Sequence, residues 1–228
     1  MGERVFLKIS RKMFRFVLCI FGLNIMFTVI RKPDVDTVGL SSLCHDGKHV
    51  VFIDYDNIYL SQVLNEIKQL QLKWDIGTVA VLSSSSKIDP FGKEYGNWHV
   101  FGFAKMHYHE IIKMLNDTCC DPSYIEIPKM SKGRYWVLRV YPKRVKNMIL
   151  KDMPVIRRLC YSKTKRQLSR SHYDFLCNVY KMPTLPKRYL GSFDKSHNLK
   201  FISYHTYSMP KTAQFKNMVV ERLRGGGG

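Results

Sequence analysis

The chain has 228 residues, 45% of them hydrophobic, enough apolar side chain for one or two packed domains, which excludes a wholly disordered chain. Its 37 Lys plus Arg against 18 Asp plus Glu give a formal charge of +19, which points to a polyanionic partner: nucleic acid first, an anionic membrane surface second. The six cysteines include the adjacent Cys119 and Cys120 and no CxxC spacing; this argues against the common zinc modules and a disulfide framework, and suits the reduced thiols of an intracellular protein.

Residues 16–30, FVLCIFGLNIMFTVI, carry no charge and lie between Lys8, Arg11, Lys12 and Arg15 on one side and Arg31 and Lys32 on the other. The stretch is shorter than the ~20 residues a spanning helix needs. It reads as a buried element, two strands broken at Gly22, because Phe, Val, Ile and Thr suit strands. The flanking cations leave a signal or membrane-anchor segment as the alternative. Residues 31–48 are polar and turn-rich, which places a boundary near residue 45 and makes 1–44 a separate apolar segment.

Residues 50–53 then read as a buried strand, and from Ile58 the positions Val63, Leu64, Ile67 and Leu70 fall on one face of a helix. TVAVL at 78–82 is a second strand, SSSSKIDPFGKEYG at 83–96 a loop by composition, and NWHVFGF at 97–103 a third strand. KMHYHEIIKMLND carries Met106, Ile111, Met114 and Leu115 at helical spacing, and residues 124–127 and 135–141 read as two more strands. The order β-α-β-β-α-β predicts an α+β fold with an RRM/ferredoxin-like sheet, extended by N-terminal and basic C-terminal elements. In that topology the first and third strands are central neighbours, so Asp54 and His99 lie side by side. Asp121, ahead of the last strand, reaches the same face.

The positive charge is concentrated between Lys129 and Arg170, with fourteen Lys and Arg against the single acid Asp152. Arg134, Arg144, Lys146, Arg157 and Arg158 are candidates for contacting nucleic acid, as are Lys163, Lys165 and Arg166 further on. Residues 161–180 read as a helix with a basic first half, ended by MPTLP. Residues 187–224 alternate aromatic and basic residues, a pattern that stacks bases and tracks phosphates. Residues 146–224 form a basic C-terminal region that completes the fold, and the four glycines 225–228 read as a linker-like tail.

The stretch VFIDYDNIY ends an apolar run with Asp54 and Asp56 at positions i and i+2. On a strand such a pair shares one face and can grip one hard cation together. Alone, D-x-D is more often a loop or a cap. Here it is followed by His99 in YGNWHVFGF, Asp121 in CCDPSY, and Arg139 and Lys143 in GRYWVLRVYPK.

In that order and spacing the motifs resemble the archaeo-eukaryotic primase superfamily, and within it the primase-polymerases. The resemblance runs over about residues 48–145, so that 45–145 would be a primase-like catalytic core. It implies that Asp54, Asp56 and Asp121 hold two Mg²⁺ or Mn²⁺ ions, which align a 3′-hydroxyl with the α-phosphate of an incoming nucleotide. It further implies that His99 and Asn97 contact the nucleotide, that Arg139 and Lys143 neutralise its phosphates, and that Lys132 and Arg134 assist. Asn97 stands where the family usually has serine. The implied activity is nucleotidyl transfer on a DNA or RNA template from nucleoside triphosphates, as in replication proteins of viruses, plasmids and other mobile elements. With no zinc-binding, helicase or accessory primase module recognisable in the chain, a replication partner such as a helicase is expected.

Plainer readings stand beside these. His99 alone would be a buried strand histidine, Asp121 would cap a turn before Pro122, and Arg139 and Lys143 would be solvated. The alternation of Trp136, Leu138 and Val140 with Arg139 nevertheless puts the arginine opposite the core side chains. His107 and His109 resemble the metal-binding pair of rolling-circle endonucleases, but they begin a segment of helical period. VFIDYDNI also resembles the opening of NYN and PIN-type ribonucleases, which would place acids such as Asp89, Glu94, Asp117 and Asp121 at the ends of parallel strands. A non-catalytic basic module that binds nucleic acid, or a membrane through residues 16–30, is the third reading.

Overall fold

The computed structural model describes residues 5–10, 13–20, 23–30, 35–130, 135–145 and 148–205. Three antiparallel strands come first, β1 (Val5–Ser10), β2 (Met13–Ile20) and β3 (Leu23–Ile30), paired in that order. The apolar stretch therefore falls in two strands, β2 and β3; Gly22 lies outside the described residues. Among the described residues no helix is long and apolar enough to cross a membrane.

A second sheet is built on β4 (Val35–Ser41), which pairs with β8 (Val137–Arg139), β9 (Lys143–Val145) and β12 (Phe201–His205); β10 (Met148–Lys151) extends it beyond β9. The third sheet has the order β11-β6-β7-β5, from β5 (His49–Tyr59), β6 (Val79–Ile88), β7 (Glu94–Met106) and β11 (Val155–Cys160), with all neighbours antiparallel. Among the described residues four α-helices complete the α+β architecture: α1 (Leu60–Trp74), α2 (Tyr108–Leu115), α3 (Pro122–Met130) and α4 (Arg170–Val179).

β5 and β6 both run antiparallel to β7 and hence parallel to each other, with α1 as their crossover. This much of the βαββαβ expectation stands, and β5 and β7 are neighbours, although β5 is at the sheet edge rather than its centre. The second half departs from it. Residues 124–127 lie in α3 instead of a strand, because Asp121 and Pro122 supply a helix start. β8 joins β4 in the second sheet, and the open edge of β6 is taken by β11.

Two further expectations change. Residues 83–96 are mostly a hairpin: β6 runs on to Ile88, β7 begins at Glu94, and the Asp89 carboxylate closes the turn by accepting from the Phe91 and Lys93 amides at 2.9 and 2.8 Å. Composition flagged a serine-rich loop, but strand pairing satisfies that backbone. In residues 161–180 only Arg170–Val179 is helical. The preceding segment is held extended by the Thr78 and Ser162 bonds and by Gln167, whose carbonyl accepts from the Lys105 amide.

The third sheet buries both faces. Tyr55 O–H donates to Glu66 of α1 at 2.8 Å, so that face of β5 meets α1, which buries Val63, Ile67 and Leu70 at about 1.5–3 kcal/mol each. The opposite face carries Phe52, Phe101 and Phe103, packed against His172, Tyr173 and Phe175 of α4. Further along, the buried ammonium of Lys105 lies 2.8 Å from both Asp46 and Asp194, tying β7 to two loops. Beyond the Phe52 and Phe101 rings the same face opens towards β4 and β8.

Candidate functional site

β7 organises this opening through its register. His99 lies opposite Asp54 of β5 and Leu82 of β6, and Trp98 opposite Tyr55 and Ser83. Immediately beyond, both ladders are interrupted: Asp56 and Asn57 are skipped in β5, and Ser84 in β6. Such bulges re-aim side chains, and here two of them flank one short stretch of β7. Gly96 makes the arrangement possible: its φ is +155°, and a Cβ there would overlap the Ser85 carbonyl oxygen. Asn97 Oδ1 accepts from the Asn57 amide at 3.1 Å, which holds the β5 bulge with Asn57 at φ +54°.

Between the second and third sheets lies a cavity of about 300 Å³. Its lining joins Asp54 and Asp56 of β5, Ser84 of β6, and Asn97 and His99 of β7 to Thr37 and Gly39 of β4, Val137 and Arg139 of β8, Lys143 of β9 and Lys151 of β10. Six of the residues singled out in the sequence, Asp54, Asp56, Asn97, His99, Arg139 and Lys143, thus meet in one place. The division near residue 45 falls between β4 and β5, both of which contribute to the lining.

Burial dominates the electrostatics of the cavity. Burial, then the neighbouring charges of Asp56 and Asp121, push the Asp54 carboxyl up to about 7, against the smaller pull of Lys151 and Arg139. Burial, then the Arg139 charge, holds the His99 imidazole down at about 3, so it is neutral. His99 Nε2 lies 3.5 Å from Asp54 Oδ1, and Nδ1 has no hydrogen-bond partner among the described residues. The Arg139 backbone favours the charged imidazole slightly without hydrogen-bond geometry to Nδ1.

Arg139 is half-buried, opposite the core side chains Trp136, Leu138 and Val140 as alternation implies. Burial lowers its pKa, but a guanidinium remains charged. Its terminal nitrogens donate to Ser84 Oγ at 2.7 Å, Ser84 O at 3.2 Å, Tyr141 O at 2.8 Å and Asp152 O at 2.7 Å. Asp121 is close to the cavity, its amide donating to the Asp54 carbonyl at 3.1 Å, but it does not line it. Its carboxylate accepts from the Ser123 amide at 2.9 Å and the Ser123 hydroxyl at 2.5 Å, so it caps the start of α3 where the sequence suggested the cap of a turn. Among the described residues no three His, Cys, Asp or Glu side chains are arranged to hold a metal ion.

No family model, curated protein or solved structure matches the chain. Every paired neighbour in the third sheet is antiparallel, whereas the NYN and PIN reading calls for neighbouring parallel strands. His107 and His109 are exposed at the start of α2, with stacked rings 5.7 Å apart, not on a strand.

Of the candidates for nucleic-acid contact, Arg144, Arg157, Arg158, Lys163 and Lys165 are exposed. Arg166 is instead committed to Glu110, at 3.1 Å, and to the Trp74 carbonyl. Lys132, Arg134 and Lys146 lie outside the described residues. Sequence reasoning missed Ser84 and Lys151. Ser84 was hidden in a run assigned to a loop, and Lys151 belongs to no motif.

Proposed function

We propose that the cavity binds a nucleoside triphosphate and that the protein is a metal-dependent nucleotidyltransferase acting on a nucleic-acid template, resembling a primase-polymerase. The observation that carries this reading is the convergence of Asp54, Asp56, Asn97, His99, Arg139 and Lys143, drawn from four strands of two sheets, on one cavity. The split βαβ unit formed by β5, α1, β6 and β7 supports it as well.

The donor set suits Mg²⁺ or Mn²⁺. Such ions are held by one or two carboxylates together with substrate phosphates and water, rather than by a closed protein cage. Asp54 and Asp56 would supply those carboxylates. The raised pKa of Asp54 reflects negative charge crowded in a poorly hydrated place, which a cation would relieve. Asp121 would join them only by leaving Ser123. When bound, the metal supplies charge neutralisation and a more acidic attacking hydroxyl.

The chain's own contribution is positioning. The neutral His99 offers Nδ1, buried and without a partner, as a hydrogen-bond group for a phosphate oxygen or ribose hydroxyl. Asn97 and Ser84 offer further polar contacts at the two bulges, and the cationic wall of β8 to β10 faces the carboxylates across the cavity. The exposed Arg157 and Arg158 on β11 extend positive charge along the neighbouring sheet edge, where a template backbone would be attracted.

The test is primer extension with labelled nucleotides and Mn²⁺, comparing wild type with Asp54→Ala plus Asp56→Ala. Incorporation by wild type and its loss in the double variant are expected. Incorporation that survives the double change rejects the assignment. Salt-sensitive nucleic-acid binding with no incorporation by wild type would favour the non-catalytic module.

A further inference from the structure

Lys143 on β9 and Lys151 on β10 are directly opposite each other in the antiparallel ladder, and both line the cavity. Like charges so placed repel each other. Both residues are half-buried, and among the described residues neither ammonium has an ion-pair partner. An anion seated between them would turn this repulsion into two attractions.

Arg139, the third cation of the wall, is differently placed. Its two terminal nitrogens carry four of a guanidinium's five N–H groups, and their four hydrogen bonds go to the Ser84 bulge, Tyr141 and the Asp152 carbonyl. These partners belong to the third sheet, the β8–β9 connection and the segment between β10 and β11. The guanidinium thus joins the sheets at the cavity edge, and its bidentate face is not free for a phosphate.

We propose that Lys143 and Lys151 form a two-pronged clamp for the terminal phosphates of a nucleoside triphosphate, and that Arg139 is a positioning residue that fixes the cavity wall. This rests on the nucleotide-site reading above and assigns roles within it. Two ammonium groups with rotatable donors adapt to the non-bridging oxygens of a flexible polyphosphate better than one immobilised fork. A monophosphate, lacking the outer phosphates, gains little from the clamp.

The experiment measures equilibrium binding of a non-hydrolysable nucleoside triphosphate and of the corresponding monophosphate, with thermal unfolding in anion-poor buffer. Lys151→Gln and Lys143→Gln should each weaken the triphosphate by about tenfold or more, as loss of a charge-assisted contact does, and change the monophosphate by less than about threefold. Lys143→Gln, which leaves the pull of Lys151 on Asp54 in place, should also raise the ligand-free unfolding temperature, because the repulsion is removed. Lys151→Arg should retain triphosphate binding. Arg139→Gln should instead lower the unfolding temperature, and adding Ser84→Ala to it should cost little more, since the two act through one contact.

Triphosphate affinity unchanged in Lys151→Gln, or equal losses for both ligands, overturns the clamp while leaving the nucleotide site standing. Failure of wild type to bind either nucleotide overturns the site reading and the clamp with it.

Discussion

Asp54→Asn isolates the charge crowding on which the site reading depends. The carboxyl titrates near 7 in the folded protein, against an ordinary value of 3.8. Below the lower value both folded and unfolded chains carry the proton, and the group costs nothing. As pH rises through the window between them, the unfolded chain gives up its proton first, so folding stability falls until the upper value is passed. About 3 pH units at 1.36 kcal/mol each set a ceiling of about 4 kcal/mol. The side chain is 30% exposed, and solvent screening reduces the expected penalty to about 2 kcal/mol. The asparagine variant lacks this titration. In urea unfolding with a chelator present, it should match wild type near pH 4 and exceed it by that amount at pH 8. Mn²⁺ should restore stability to wild type at pH 8 and not to the variant. A stability difference that is constant with pH, or a variant weaker than wild type at pH 8, would refute the reasoning.

Gly96→Ala places a methyl against the Ser85 carbonyl oxygen and 2.7 Å from Ser86 Cα, both backbone atoms, at a φ that L residues rarely adopt. A loss of at least about 2 kcal/mol is expected from the urea midpoint, together with weaker nucleotide binding as the Ser84 bulge shifts. Lys105→Met removes the cation between Asp46 and Asp194, each 2.8 Å away, and leaves two acids without their partner. It should cost about 3–5 kcal/mol at pH 7 and less at low pH, where Asp46, whose carboxyl the Lys105 contact holds below its ordinary value, takes up a proton; equal loss at both pH values would contradict this.

What the sequence disclosed follows local periodicity closely. Strand β5 with its two acids, the face of α1 and the strand bearing His99 were all legible, because alternation and helical spacing survive in the final packing. The adjacency of Asp54 and His99 followed from topology and holds in the register. The misreadings occur where long-range pairing overrides local composition. The serines of β6 read as loop, yet they pair with β7 across a bulge. Residues 124–127 are a different case: they read as strand, yet the local cap by Asp121 starts a helix there. Arg139 was legible as a cation facing the cavity, but not as a joint between sheets, since Ser84 and Asp152 are distant in sequence. Lys151 belongs to no motif, and its role emerges only from the pairing of β10 with β9, which brings it beside Lys143.

Everything proposed for the site requires that Asp54 and Asp56 bind a divalent metal against a triphosphate in the cavity between the sheets. That binding is tested most directly by anomalous diffraction from crystals of the full chain grown with Mn²⁺ and a non-hydrolysable nucleoside triphosphate. A manganese peak in contact with both carboxylates is expected, with the terminal phosphates against Lys143 and Lys151. Manganese absent from Asp54 and Asp56, with the triphosphate bound elsewhere or not at all, would contradict it.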